Sequence, residues 1–347
     1  MSYFSEKIAG LTPYVAGLQP QEPGWIKLNT NENPYPPSPR VTEALSGVDP
    51  AKLRLYPNTL GGPLRTAIAQ RFGVSEANVF CGNGSDEVLA LAYQAFFAGK
   101  GKVFTPDVSY GFYPVWAEMY DVGLTRLPLG NDFTIDPDTY KGGKGVIIAN
   151  PNAPTGIALG LSDIEKIAQN NPDGVVLVDE AYIDFADVES AVPLIAQYPN
   201  LLIVRTLSKS HSLAGLRAGY AIGSEILMEG LRRVKDAFNS YPLDLFAQAG
   251  GAAAILDTDY WNQTRQQIIK TRNQTADRLR ELGYPSLPSQ ANFLFVEAAN
   301  AKGLYEHLFA HKILARYWDK PRINKFLRVT IGTDTEMEAF IQCVSQF

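Results

Sequence analysis

Three short segments constrain the fold most. Residues 146–149, Val175–Asp179 and Leu201–Thr206 are continuous apolar runs. Strands without polar alternation belong in a mostly parallel sheet buried on both faces. A helix with Ser162 as N-cap, running through Asn170, joins the first two runs. Further strands are expected at 78–81 and 102–105, with helices at 88–97 and 113–120 and the end of another at 67–72. Strands alternating with helices indicate a doubly wound α/β domain.

The flanks differ. Residues 1–39 are rich in Pro, Asn and Gly and read as an extended arm, not a packed element, although Trp25, Ile26 and Leu28 are apolar enough to dock. Asn31 and Asn33 have the local character of turn-shaping residues. After Asp244 the pattern changes to helices near 246–256, 260–282, 304–310 and 336–347, with short strands at 292–296, 312–317 and 326–331. The expected organisation is therefore an arm over 1–39 that packs with the small domain or a partner subunit, a large domain over 40–245 and a smaller α+β domain over 246–347. A chain of 347 residues is long enough for both domains.

A net charge of −5, a pI near 5.4 and scattered basic residues argue against a nucleic-acid partner. Cys81 and Cys343 have neither disulfide nor metal-ligand spacing and read as small buried hydrophobes, which fits a reducing, cytoplasmic compartment. His307 and His311, four apart, read as a solvated helix face with no third ligand near, so no metal is expected. No apolar run approaches ~18 residues and the first residues lack a signal-peptide core, so a soluble protein with no membrane partner is expected.

Ligands of open α/β sheets sit beyond the C-terminal ends of the strands, and polar residues collect there. One apolar run leads to Asn152 in Asn-Pro-Asn-Ala-Pro-Thr-Gly, the next to Asp179 and Tyr182, and the third to Ser208 and Lys209. The strand at 78–81 leads to Gly84, Ser85 and Asp86, where a turn opening a helix offers backbone N–H groups to an anion. Lys209 sits in a polar turn at the mouth of a buried strand, a setting that can make an amine nucleophilic. Arg217 adds a planar fork suited to phosphate. Neither a Gly-x-Gly-x-x-Gly turn after a strand nor a Walker-type Gly-Lys-Ser/Thr is present, which disfavours dinucleotides and nucleoside triphosphates. A single phosphate site, a carboxylate, a phenol, an amide and a lysine together suit pyridoxal 5′-phosphate.

With these residues in place, the chain resembles fold-type I pyridoxal-phosphate aminotransferases, and among them the histidinol-phosphate aminotransferase family. The likeness runs from Leu11-Thr12-Pro13-Tyr14 and the Asn29–Pro34 stretch to the segment at 327–332. It implies a large doubly wound domain plus a smaller α+β domain, and these roles. Lys209 anchors the cofactor covalently and moves the proton between substrate Cα and cofactor C4′. Asp179 pairs with the pyridine nitrogen, while Asn152 and Tyr182 bond the ring oxygen. Gly84, Ser85, Ser208 and Arg217 hold the phosphate, with Asp86 beside them, and Tyr110 stacks on the ring. Tyr56 reaches the cofactor of the partner subunit in a homodimer. Arg328 binds the acidic end of the substrate, with Tyr14, Asn33 and Arg316 lining the pocket. Ala153 departs from the family pattern, which has a second central asparagine there.

The implied reaction is transamination between histidinol phosphate and 2-oxoglutarate, with glutamate as amino donor in the reverse sense, within histidine biosynthesis. An aromatic amino-acid aminotransferase or a phosphothreonine decarboxylase would keep the Asp179, Tyr182 and Lys209 core. A non-catalytic cofactor-binding regulatory module is disfavoured because no helix-turn-helix or basic segment precedes the arm.

Overall fold

The computed structural model describes residues 3–347. In the arm, β1 (Ile26–Lys27) is a short strand. A seven-stranded sheet follows from β2 (Val79–Asn83), β3 (Lys102–Pro106), β4 (Gly123–Leu127), β5 (Gly145–Ala149), β6 (Val175–Asp179), β7 (Leu201–Thr206) and β8 (Ala218–Gly223), in the order β2-β8-β7-β6-β5-β3-β4. β8 runs antiparallel to both neighbours, β2 and β7, and the other pairings are parallel. The chain is thus α/β with a large, mostly parallel central sheet.

The apolar runs are continuous because both faces of the sheet are covered. Val146, Ile148, Val176, Val178, Leu201 and Ile203 enter one core with helices Gly62–Phe72 and Leu161–Asn170. The residues between them, Ile147, Leu177, Leu202 and Val204, enter a second core on the opposite face. That core is closed by helices Gly84–Ala92, Tyr113–Met119 and Glu225–Phe238. Helix Leu245–Leu256 packs Ala247, Ala252, Ala254 and Ile255 into the first core. By its contacts it sides with the central sheet, although the composition shift at Asp244 suggested the C-terminal layer.

That layer holds β9 (Phe293–Glu297), β10 (Ile313–Leu314), β11 (Arg316–Tyr317) and β12 (Phe326–Thr330), with an antiparallel sheet in the order β11-β12-β9. The single strand expected at 312–317 is two. β10 pairs with β1 of the arm, and after Ala315 the chain turns to pair with β12. The arm, extended as its composition suggests, packs on the C-terminal layer through apolar residues that were expected to dock. Leu28 is 1% exposed in the C-terminal core, and Ile26 and Leu28 donate N–H groups to the carbonyls of Lys312 and Leu314.

Local readings missed β4 and helix Glu225–Phe238. The helix expected to be capped by Ser162 instead begins at Leu161, with Gly160 as an N-cap that offers no side chain. No helix among the described residues is long and apolar enough to cross a membrane.

Candidate active site

Because β2, β5, β6 and β7 are mutually parallel in direction, their C-terminal ends share one rim, and the reversed β8 begins there with Arg217 just before it. At this rim lies a cavity of about 490 Å³. It is lined by Ser85, Asp86, Tyr110, Asp179, Tyr182, Ser208, Lys209 and Arg217 from the central sheet. Tyr14 from the arm and Arg316 and Arg328 from the C-terminal layer complete the set.

Backbone geometry shapes the anion end. Gly84 opens its helix at φ +77°, and a Cβ there would lie 2.5 Å from Arg217 Nη2. Gly219 in β8 is equally constrained, since a Cβ would collide with the backbone of Gly84 and Ser85. Arg217, itself at φ +53°, is drawn toward Asp86 Oδ2 at 3.3 Å. The Asn83 N-cap makes no side-chain hydrogen bond to the first turn of Gly84–Ala92. Ser85 at the helix N-terminus, Ser208 and the Arg217 guanidinium line one cavity, where they could meet an anion.

Asp179 is buried at the end of β6, where it accepts a hydrogen bond from Tyr113 Oη at 2.9 Å and one from the Ala181 N–H at 3.2 Å. Burial pushes its carboxyl up to about 6 despite these donors. No Lys, Arg or His among the described residues pairs with it. Burial also raises the Tyr110 phenol well above its ordinary range, the charge of Asp86 adding to it; its Oη donates to Asp86 Oδ1 at 3.1 Å.

Lys209 Nζ donates to the Thr30 carbonyl at 3.1 Å and lies 5.8 Å above the Tyr182 ring. The Tyr182 hydroxyl accepts from Asn31 Nδ2 at 2.9 Å. Asn31, 1% exposed at φ +57°, is fixed in turn by Thr330, which accepts its N–H, and by Asn292, which donates to its carbonyl. Beside it burial opposes the charge on Glu32, but hydrogen bonds from Lys27 and Thr30 outweigh that and hold its carboxyl below the usual range.

At the other end, Arg316 and Arg328 are directly opposed across β11 and β12. Arg328 donates to the Asn29 carbonyl at 2.8 Å, its guanidinium lies 5.4 Å from the Phe293 and Trp318 rings, and its Nε is buried without a partner. Arg316 is tied to the Val15 carbonyl at 2.8 Å.

Three sequence-derived candidates lie elsewhere. Asn33 donates to the backbone carbonyls of Lys209 and Ser210, so it braces the lysine turn from behind rather than lining the cavity. Asn152 directs both amide hydrogens at protein acceptors, Val108 O and Thr155 Oγ1, and accepts from Ser109. Tyr56 is 81% exposed and stacks on Tyr241 at 4.4 Å. His211 lines no part of the cavity. It is buried against Trp261, and burial lowers its ring to about 4, so it is neutral at physiological pH. Thr30, Asn31, Glu32, Tyr113 and Gly219 escaped sequence reasoning. The dense polar stretch Asn29–Asn33 carried the signal for three of them, but local turn chemistry explained it equally well.

The residues fit pyridoxal phosphate by their own properties. A glycine cradle is packed too closely for any Cβ, and a buried carboxylate lacks a cation partner.

A two-layer fold with this rim constellation defines a class, and residues 23–344 match the family of class I and II aminotransferases, to which the chain belongs. It is 48% identical to histidinol-phosphate aminotransferase of Aromatoleum aromaticum, covering 99% of this chain and 98% of that one. It is also 48% identical to that of Clostridium acetobutylicum, with the same coverage. Within the class it is thus a member of the histidinol-phosphate aminotransferase family and an enzyme. The crystal structure of histidinol-phosphate aminotransferase from Sinorhizobium meliloti, in complex with pyridoxal 5′-phosphate, superposes with a TM-score of 0.90 at 23% identity, covering 100% of this chain and 97% of that one. Aspartate aminotransferase from Thermus thermophilus has a TM-score of 0.84 at 17% identity, with full coverage of both chains. These neighbours share the fold.

Proposed function

We propose that the protein transfers an amino group from histidinol phosphate to 2-oxoglutarate with pyridoxal 5′-phosphate held in the rim cavity. Relatives of that name at nearly half identity over the whole chain support the substrate. The observation that carries the reading is the meeting, in one cavity, of Lys209, the cation-free Asp179 and the opposed Arg316 and Arg328.

In this reading the Gly84 and Ser85 amides, Ser208 and Arg217 hold the cofactor phosphate, and Asp179 keeps a proton on the ring nitrogen. Tyr182 and Asn152 meet the ring oxygen, Asn152 by yielding one of its present hydrogen bonds, and Tyr110 covers a ring face. When bound, the cofactor supplies an electron sink for the substrate Cα. Lys209 Nζ, released from the Thr30 carbonyl, would be the base that removes the proton from substrate Cα and, in the second half-reaction, the acid that delivers one to the Cα formed from 2-oxoglutarate. Arg328 binds the substrate phosphate, or the carboxylate of 2-oxoglutarate, by the same bidentate fork, with Arg316 and Tyr14 beside it. The arm and the C-terminal layer exclude water by closing the cavity over the sheet.

Tyr56, with exposed Leu53 and Leu55 nearby in sequence, lies on an apolar surface suited to a second copy of the chain. We read it as the residue shared across a homodimer. Mixing a Tyr56→Phe chain with a Lys209→Ala chain tests this, because shared sites restore one parent-like site in each hybrid dimer, whereas independent sites leave no more than the activity of Tyr56→Phe.

The substrate reading is tested by single-turnover spectroscopy of the cofactor-loaded protein with histidinol phosphate or L-phenylalanine. Conversion at far lower histidinol phosphate supports it. Equal conversion by phenylalanine replaces it with an aromatic aminotransferase, and release of CO₂ from a phosphorylated amino acid replaces it with a decarboxylase.

A further inference from the structure

Away from the cavity, the C-terminal layer brings together three side chains that the sequence separates. His307 lies in helix Ala301–Ala310 and His311 caps its C-terminus, while Cys343 lies in helix Asp334–Val344. The expectation of a solvated histidine pair with no third ligand is thereby corrected, because a second helix supplies the thiol. One ring nitrogen from each imidazole and Cys343 Sγ lie within 4.8 Å of one another. We propose that these three residues bind a borderline-soft divalent cation of the zinc type, pinning the two helices together.

The donor set suits such an ion. Two imidazoles and a thiolate with a fourth position left to water are a zinc-like combination. Around an ion with Zn–N near ~2.0 Å and Zn–S near ~2.3 Å, tetrahedral edges are roughly 3.5 Å. The donors must therefore draw in by roughly 1 Å, within reach of rotation of the exposed His311 side chain.

The surroundings also suit it. One nitrogen of each ring is engaged by a backbone carbonyl, His307 Nε2 with Cys343 O at 3.1 Å and His311 Nδ1 with His307 O at 2.8 Å. A neutral imidazole that donates through one nitrogen is left with a lone pair on the other, and an N–H···O=C contact is the usual orienting partner of a metal-ligating histidine. The Phe347 ring packs 5.3 Å from that of His307. Cys343 is buried, half-buried His307 lies between, and exposed His311 leaves a path for an ion from solvent. None of the three lines the catalytic cavity.

The test uses the full-length, cofactor-loaded protein stripped with EDTA and titrated with Co²⁺, then with Zn²⁺. The expected result is a thiolate-to-cobalt charge-transfer band saturating at one ion per chain, displaced by Zn²⁺. That band should disappear in Cys343→Ser. Zinc affinity should fall at least ~10-fold in His311→Ala, an exposed position whose truncation leaves the core intact. Zinc should raise the unfolding temperature of the parent protein and leave that of the His307→Ala/His311→Ala double variant unchanged. Absence of the thiolate band in the parent protein, or equal zinc affinity in His311→Ala, overturns the proposal.

Discussion

Arg316 and Arg328 face each other as register partners across β11 and β12. Like charges placed directly opposite in an antiparallel pair repel, and Arg328 is also desolvated, so that its guanidinium is held below its ordinary range by burial, the charge of Arg316 contributing. Among the described residues no carboxylate pairs with either arginine, so under the proposed function the two form an anion site whose cost is recovered when an acidic ligand arrives.

Arg328→Gln should therefore lower kcat/KM for histidinol phosphate by roughly 10- to 100-fold, the worth of a desolvated charge-assisted pair. The same variant, free of ligand, should unfold at or above the parent temperature. Steady-state kinetics and thermal denaturation read the two effects, and a substantially lower unfolding temperature would show that Arg328 is structural.

The raised carboxyl of Asp179 has a pH signature. A carboxylic acid whose folded value, about 6, exceeds its ordinary value of 3.8 holds its proton longer in the folded state. Its contribution favours folding at low pH and is lost as pH rises through that window. In cofactor-free protein, Asp179→Asn should thus gain stability at pH 7.5, by roughly 3 kcal/mol, with the gain vanishing by about pH 4. With cofactor the order should reverse, because the variant cannot hold the ring-nitrogen proton. Urea denaturation across pH measures both.

Gly84→Ala tests the phosphate cradle. A Cβ would strain a left-handed backbone and press on Arg217. We expect a stability loss of roughly 1–3 kcal/mol together with at least tenfold faster loss of pyridoxal phosphate on dialysis. Retention of cofactor at the parent rate would remove Gly84 from the cradle.

Lys209→Ala should abolish the visible absorption band of the cofactor-loaded protein and reduce transamination by roughly 10³-fold or more, the general acid–base share alone reaching ~10⁴. Asn31→Ala should act more gently, by releasing the Tyr182 hydroxyl. A severalfold fall in kcat and a shifted pH dependence of that band are expected, with the unfolding temperature little changed.

What could be read from the sequence followed burial. The central strands announced themselves because each buries two faces, and their polar ends named Asp179, Tyr182, Ser208 and Lys209 as one rim. The arm was harder. Asn31 and Glu32 look like turn residues until Thr330 and Asn292, some three hundred positions away in sequence, are seen to hold Asn31. Cys343 was read as an inert core residue for the same reason. Spacing along one helix reveals His307 and His311 but says nothing of a neighbour on another. Asn33 was assigned to the pocket by likeness, whereas its amide braces the backbone of Lys209.

The bond from the Asn31 N–H to Thr330 joins the arm to β12 beside the Tyr182 hydroxyl. During synthesis the arm emerges some three hundred residues before its partner in β12. The cavity gains its last wall only after β12 is released. A chain broken off before β12 would carry Lys209 and Asp179 but lack the Thr330 contact that holds Asn31 against the Tyr182 hydroxyl.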